Sequence, residues 1–226
     1  MNPHDDSGII QLRRVLAERF PHVRTWSRLP PPKIPPIRPT GLHHLDSLLQ
    51  GGLSESSITE FVSPGSGAGS ALLLRALLWQ TRQTAQFMGL IDGADSFDPT
   101  GLPPSILSRL FWVRCKTAEE AMKATDILLR DRNLSLIVLD LKMNPAAQLR
   151  KISGTTWYRL QRIARQSATA FVAVTPHPMV PSAETRIVLE NRFTLDALSQ
   201  DESRLLAELK FDLTRAPGEE AQEVAG

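Results

Sequence analysis

The chain has 226 residues, 42% of them hydrophobic and 22% charged, a composition that excludes a disordered or low-complexity chain and fits one domain with appendages. Its 26 Lys and Arg against 24 Asp and Glu leave a net charge of +2, and its one cysteine, Cys115, excludes a disulfide framework and a cysteine-built zinc site. No apolar run approaches the roughly 20 residues that cross a bilayer, and the opening MNPHDDSGII carries acids where a secretory signal carries bases, so a cytoplasmic protein without membrane contact is expected.

Asp5, Asp6 and Ser7 can cap a helix that starts near Gly8. Ile9, Leu12, Leu16 and Phe20 follow at three- and four-residue spacing and make one apolar stripe; Pro21 ends it. Six of the 17 prolines then lie between Pro30 and Pro39, which predicts an extended, semi-rigid arm. Residues 1–38 thus form a helix on an arm. A single short stripe must dock on its own core, on a second copy in a homo-oligomer, or on another protein, so Ile9, Leu12, Leu16 and Phe20 are candidate partner-binding residues.

Residues 39–215 alternate strand and helix. Gly51-Gly52 is a turn, 57–62 a strand, 63–70 a glycine-rich loop and 71–82 a buried helix. Strands are expected at 86–92, 134–140 and 168–174, and helices at 118–130 and 155–167. The stretches 186–195 and 205–214 alternate polar and apolar residues, as half-exposed strands do. The order predicts an α/β fold: a mostly parallel sheet with helices on both faces and an antiparallel edge near the C-terminus. Residues 216–226, with Glu219, Glu220 and Glu223, are expected to be a disordered acidic tail. No cluster of Asp, Glu, His and Cys has metal-ligand spacing, so no metal site is expected.

Strand, glycine-rich loop and helix are the layout of a phosphate-binding loop, whose working form is G-x-x-x-x-G-K-[ST]. Here the residues are Ser63-Pro64-Gly65-Ser66-Gly67-Ala68-Gly69-Ser70. Ser63 and Ala68 stand at the two glycine positions, Gly69 stands at the lysine, and Ser70 keeps its type. The neighbourhood carries a resemblance. Thr40-Gly41-Leu42-His43-His44-Leu45-Asp46-Ser47-Leu48-Leu49-Gln50-Gly51-Gly52-Leu53 resembles the T-G-x-x-x-L-D-x-x-L-x-G-G-L opening of RecA-like recombinases. Ile91-Asp92-Gly93-Ala94-Asp95-Ser96-Phe97-Asp98-Pro99 looks like the family's I-D-A-E-x-x-x-D-P block, and Leu136–Asp140 occupies the strand ending in the Mg²⁺-orienting Asp.

This resemblance spans about Pro39 to Arg215 and implies a RecA-like core. In the family, the Glu of the second block positions the attacking water; Ala94 holds that place here, and Asp95 is one residue late. Without this acid and the loop lysine, no useful ATPase activity is expected and no catalytic residue is assigned. Ser63, Gly65, Gly67, Gly69, Ser70 and Asp140 are the candidate residues of a degenerate nucleotide site. The expected cofactor is none, with ATP and Mg²⁺ left open. A short RecA-like chain with an N-terminal helix, a proline-rich arm and a degenerate loop is similar to the ImuA-type (SulA-like) bacterial proteins. That likeness implies a non-catalytic accessory protein of the DNA damage (SOS) response, assembling or regulating an error-prone translesion synthesis complex through a Y-family-like polymerase partner and RecA. The alternatives are a weak DNA-dependent ATPase of RecA-recombinase type, with its cation supplied from elsewhere, and a regulator of cell division.

From Leu141 to Ala183 there is no acid, but there are six bases: Lys142, Arg150, Lys151, Arg159, Arg162 and Arg165. Two segments correspond to the family's DNA-reaching loops, 148–157 and 176–190. Bases on a loop can neutralise phosphates, and Trp157 can stack on an unpaired base. The six bases and Trp157 are therefore candidate residues for single-stranded DNA; the alternative is a solvated basic helix face with Trp157 in the core.

Overall fold

The computed structural model describes residues 36–215. The proline-rich segment ends in strand β1 (Ile37–Arg38), which pairs antiparallel with β2 (Leu53–Ser54). Arg38 is only 8% exposed and is paired with Glu55 at 2.5 Å, so the end of the arm is fastened to the core. Between the two strands lies helix α1 (His43–Leu48). The Thr40 amide and hydroxyl both donate to Asp46 Oδ1, at 2.7 and 2.8 Å, and Leu45 is fully buried. Thr40, Leu45 and Asp46, all in the first quoted motif, thus hold one turn together.

Continuous apolar runs can be buried on both sides only inside a sheet covered by helices on each face. Four strands take this position here: β6 (Leu136–Asp140) and β7 (Ala170–Thr175), which are largely apolar, β4 (Met88–Asp92), and β3 (Ile58–Val62), which also buries Thr59 and Glu60. With β5 (Leu110–Arg114), β8 (Thr185–Leu189) and β9 (Phe211–Arg215) they form one seven-stranded sheet, ordered β5-β4-β6-β7-β3-β8-β9. Every neighbouring pair is parallel except β8 and β9.

Alternation along the strands divides the core in two. Phe61, Leu90, Val138 and Val172 pack with Leu73, Leu74 and Leu77 of helix α2 (Ser70–Thr84). Ile58, Ile91, Leu139 and Phe171 pack on the other face. There they meet Leu128 and Leu129 of α4 (Ala118–Asp131), and Leu160 and Ile163 of α6 (Gly154–Ser167). Each fully buried Leu or Ile contributes roughly 1.5–3 kcal/mol over its exposed state. Thr117 caps α4 and Ser153 caps α6, each accepting a backbone N–H three residues on. Short helices α3 (Pro104–Leu107), α5 (Ala146–Leu149) and α7 (Glu202–Ala207) complete the fold.

Three expectations change. β5, an edge strand with half-buried Phe111 and Trp112, is not signalled by the sequence pattern. The expected strand 186–195 stops at Leu189, because Asn191–Phe193 leaves the sheet to cross over the glycine-rich loop. The expected strand 205–214 begins in a helix: Asp201 accepts from the Ser203 amide at 2.9 Å and starts α7, which runs to Ala207, and only Phe211–Arg215 is strand. The two expected DNA-reaching loops are likewise partly regular. Segment 148–157 contains the end of α5 and the start of α6, and segment 176–190 contains all of β8. No helix among the described residues is long and apolar enough to cross a membrane.

Candidate functional site

The carboxyl ends of β3, β4, β6, β7 and β8 lie along one edge of the sheet, the edge where open α/β folds bind ligands. The loop 63–69 leaves β3 there and enters α2, with Gly69 as the residue before the helix and Ser70 its first member. Gly67 and Gly69 have φ of +72° and +102°, a region side chains rarely adopt. Their surroundings demand glycine as well: a Cβ on Gly67 would lie 2.1 Å from the Phe193 carbonyl oxygen, and one on Gly69 would lie 2.5 Å from Leu209 Cδ2. The Phe193 amide donates to the Gly67 carbonyl at 2.9 Å. The segment after β8 therefore braces the loop from outside. A groove of about 390 Å³ runs beside this brace, between Asn191–Phe193 and Ala207–Lys210.

Asp140 ends β6, with Asp92 opposite it in register at the end of β4. The Asp92 carboxylate is absorbed by its own loop. It accepts from the amides of Ser96 and Phe97 at 2.9 and 2.8 Å and, more distantly, from Trp112 Nε1 at 3.4 Å. Asp140 Oδ1 accepts from the Lys142 amide at 2.9 Å. Burial pushes the Asp140 carboxyl up to about 6; the Lys142 amide opposes the rise, the Asp92 charge adds to it, and the Lys142 ammonium counters it. Lys142 turns back over the site, and its Nζ donates to Ser70 Oγ at 3.0 Å. Burial lowers the pKa of this ammonium, and the Asp140 charge partly restores it.

Ser70, Asp140 and Lys142 are thus brought together. Lys142, one of the bases expected to contact DNA, reaches the first residue of the helix that follows the glycine-rich loop. Ser70 and Lys142 are 72 positions apart, so no local spacing signals the contact. Ser63 is 1% exposed, and its hydroxyl has no partner among the described residues. Ala94 offers no carboxyl, and Asp95 is held elsewhere: it takes two hydrogen bonds from Arg114, at 2.5 and 2.8 Å, on the exposed edge. That guanidinium holds the Asp95 carboxyl below its usual range. Arg75, on α2, is paired with Glu202.

The basic block divides. Trp157 is 1% exposed and belongs to the core, because the first turn of α6 points it inward with Leu160; it is not placed to stack on a base. Tyr158, its neighbour, is 57% exposed. Arg159 meets Asp126 at 3.4 Å and Arg165 meets Glu184 at 2.8 Å, so distant acids neutralise two of the three helix arginines. Arg150, Lys151 and Arg162 are exposed and make no ion pair among the described residues. Ile9, Leu12, Leu16 and Phe20 lie outside the described residues.

Sequence reasoning passed over Glu60. It is fully buried on β3 and paired with Arg186 Nε at 2.6 Å. It also accepts from Thr175 Oγ1 and from the amides of Met179 and Val180. Glu60 thereby fastens the loop after β7 to the centre of the sheet. The Cys115 thiol is buried and pushed up to about 11, which makes it a poor nucleophile. No group of three or more metal-ligating side chains occurs among the described residues. No protein-family model and no curated protein matches this chain.

Proposed function

We propose that this chain acts by binding and not by turnover, as a RecA-like accessory protein of the ImuA type in the bacterial DNA damage response. One observation carries the non-catalytic part. The position that would hold the water-orienting acid is Ala94, and the neighbouring Asp95 is committed to Arg114 on the exposed edge. The acid is then missing from its position in the second block, and the loop itself carries no lysine. Each such group is worth several kcal/mol in phosphoryl transfer.

The accessory role rests on the resemblance. In it, residues 1–38 carry the contact to a Y-family-like polymerase partner, to RecA or to a second copy. Arg150, Lys151 and Arg162, near the exposed Tyr158, form the face offered to single-stranded DNA. The expected result is binding of labelled single-stranded DNA that weakens steeply between low and moderate salt and is indifferent to ATP. Replacing Arg150, Lys151 and Arg162 by Ala should flatten the log–log salt slope by about 0.7 for each phosphate that is no longer neutralised. Absence of binding, or a slope unchanged in the triple variant, would remove DNA from the proposal.

A further inference from the structure

The top of the site concentrates positive charge, with the Asp140 carboxyl acting on the Lys142 ammonium but not ion-paired to it. The loop runs into a 15-residue helix whose N-terminus carries roughly half a positive charge. A cation is disfavoured at such an end, yet the Lys142 ammonium donates to Ser70 Oγ, in the helix's first turn, at 3.0 Å. Among the described residues Lys142 has no ion pair; Asp140, two residues before it, gives Oδ1 to the Lys142 amide. The backbone N–H groups of Gly65 to Gly69 also have no acceptor among the described residues.

The Ser63 hydroxyl is an independent sign. The Ser63 amide still bonds to the Thr175 carbonyl at 2.8 Å, so the backbone is extended there. Ser63 follows Phe61 by two, and Phe61 packs on the α2 side. The Ser63 side chain therefore points beneath the loop, 1% exposed and unpartnered. A buried hydroxyl without a partner is costly, and a ligand oxygen would satisfy it.

We propose that loop Gly65–Ser70 and Lys142 form a binding site for the phosphate chain of a phosphorylated ligand, with Lys142 supplying from the loop after β6 the cation that is missing at Gly69. Consecutive amides at a helix N-terminus suit phosphate oxygens, and an ammonium neutralises them as a point charge. The anion would take over the proton that Lys142 now gives to Ser70, and the hydroxyls of Ser63 and Ser70 would complete its shell. The site binds without hydrolysing, and it stands whether or not the accessory role holds.

The test is calorimetric titration of the full chain with inorganic tripolyphosphate, with ATP and with adenosine. Both phosphate ligands should bind and adenosine should not. Equal affinities would assign the site to any oligophosphate, and tighter ATP binding would assign it to a nucleotide; both outcomes support the proposal. Lys142→Ala should weaken binding about tenfold or more, and Lys142→Arg should retain most of it. Lys123→Ala, an exposed lysine paired with Glu119 on α4, should change nothing. If Lys142→Ala does not fold by circular dichroism, Lys142→Gln replaces it. Absence of binding at millimolar ligand, equal binding of adenosine, or a folded Lys142→Ala chain that binds as tightly as the original would overturn the proposal. None of these readouts involves DNA or turnover, so failure here is distinct from failure of the accessory role.

Discussion

Asp140 sits where burial and the Asp92 charge both disfavour its carboxylate, which moves its pKa from 3.8 to about 6. A carboxyl raised on folding binds more protons in the folded state across that window. Its favourable contribution is therefore complete below pH 3.8 and is lost as pH rises through about 6. The Lys142 ammonium is lowered by burial, with the Asp140 charge opposing the change. Asp140→Asn should stabilise the chain at pH 7.5 by on the order of 2 kcal/mol and lose that advantage near pH 4. Urea melts at the two pH values check this, and an equal difference at both would show that Asp140 is not the group responsible. The glycines of the loop divide as sharply. A Cβ on Gly65 meets nothing within 4 Å, whereas one on Gly67 strikes the Phe193 carbonyl at a φ of +72°. Gly65→Ala should be close to neutral, and Gly67→Ala should cost about 2 kcal/mol or more in the same melts. Comparable costs at both positions would mean that Phe193 yields and the brace on the loop is soft.

At the scale of elements, the central strands were legible because burial on both faces leaves a continuous apolar run, as in Leu136–Leu139 and Phe171–Val174. The edges were not. β5 mixes aromatic and charged residues at half burial, and Asp201 converts an alternating stretch into a capped helix through one hydrogen bond. The site divides in the same way. The loop and Asp140 could be read from local order, because each lies at the end of a buried strand. The Lys142–Ser70 contact and the Glu60–Arg186 pair could not, since each joins elements that only the sheet order brings together. Glu60 serves two neighbouring elements, β8 through Arg186 and the loop after β7 through two amides. Truncating one member of a buried ion pair leaves the other uncompensated, so Glu60→Ala should cost roughly 3 kcal/mol or more. Thermal denaturation, with exchange of the Met179 and Val180 amides as a local readout, checks it. Normal protection of both amides in the variant would contradict the fastening role.

At the scale of the molecule, one edge of the sheet carries everything the described residues offer a small ligand: a braced glycine-rich loop, a lysine from another loop, and a carboxyl poised near neutrality. Of the acids there, Asp92 is absorbed by its own loop, Asp95 by Arg114, and Asp140 Oδ1 accepts from the Lys142 amide. On the proposed reading the chain holds an anion without transferring a phosphoryl group and works by contact, with Arg150, Lys151 and Arg162 among the bases it offers to a partner. The measurement that bears most directly on this is ATP turnover by the full chain, with and without single-stranded DNA. Release of phosphate at the rate of the protein-free control under both conditions is the expected result. Turnover that rises with single-stranded DNA and disappears in Asp140→Ala would contradict it and establish the chain as an enzyme.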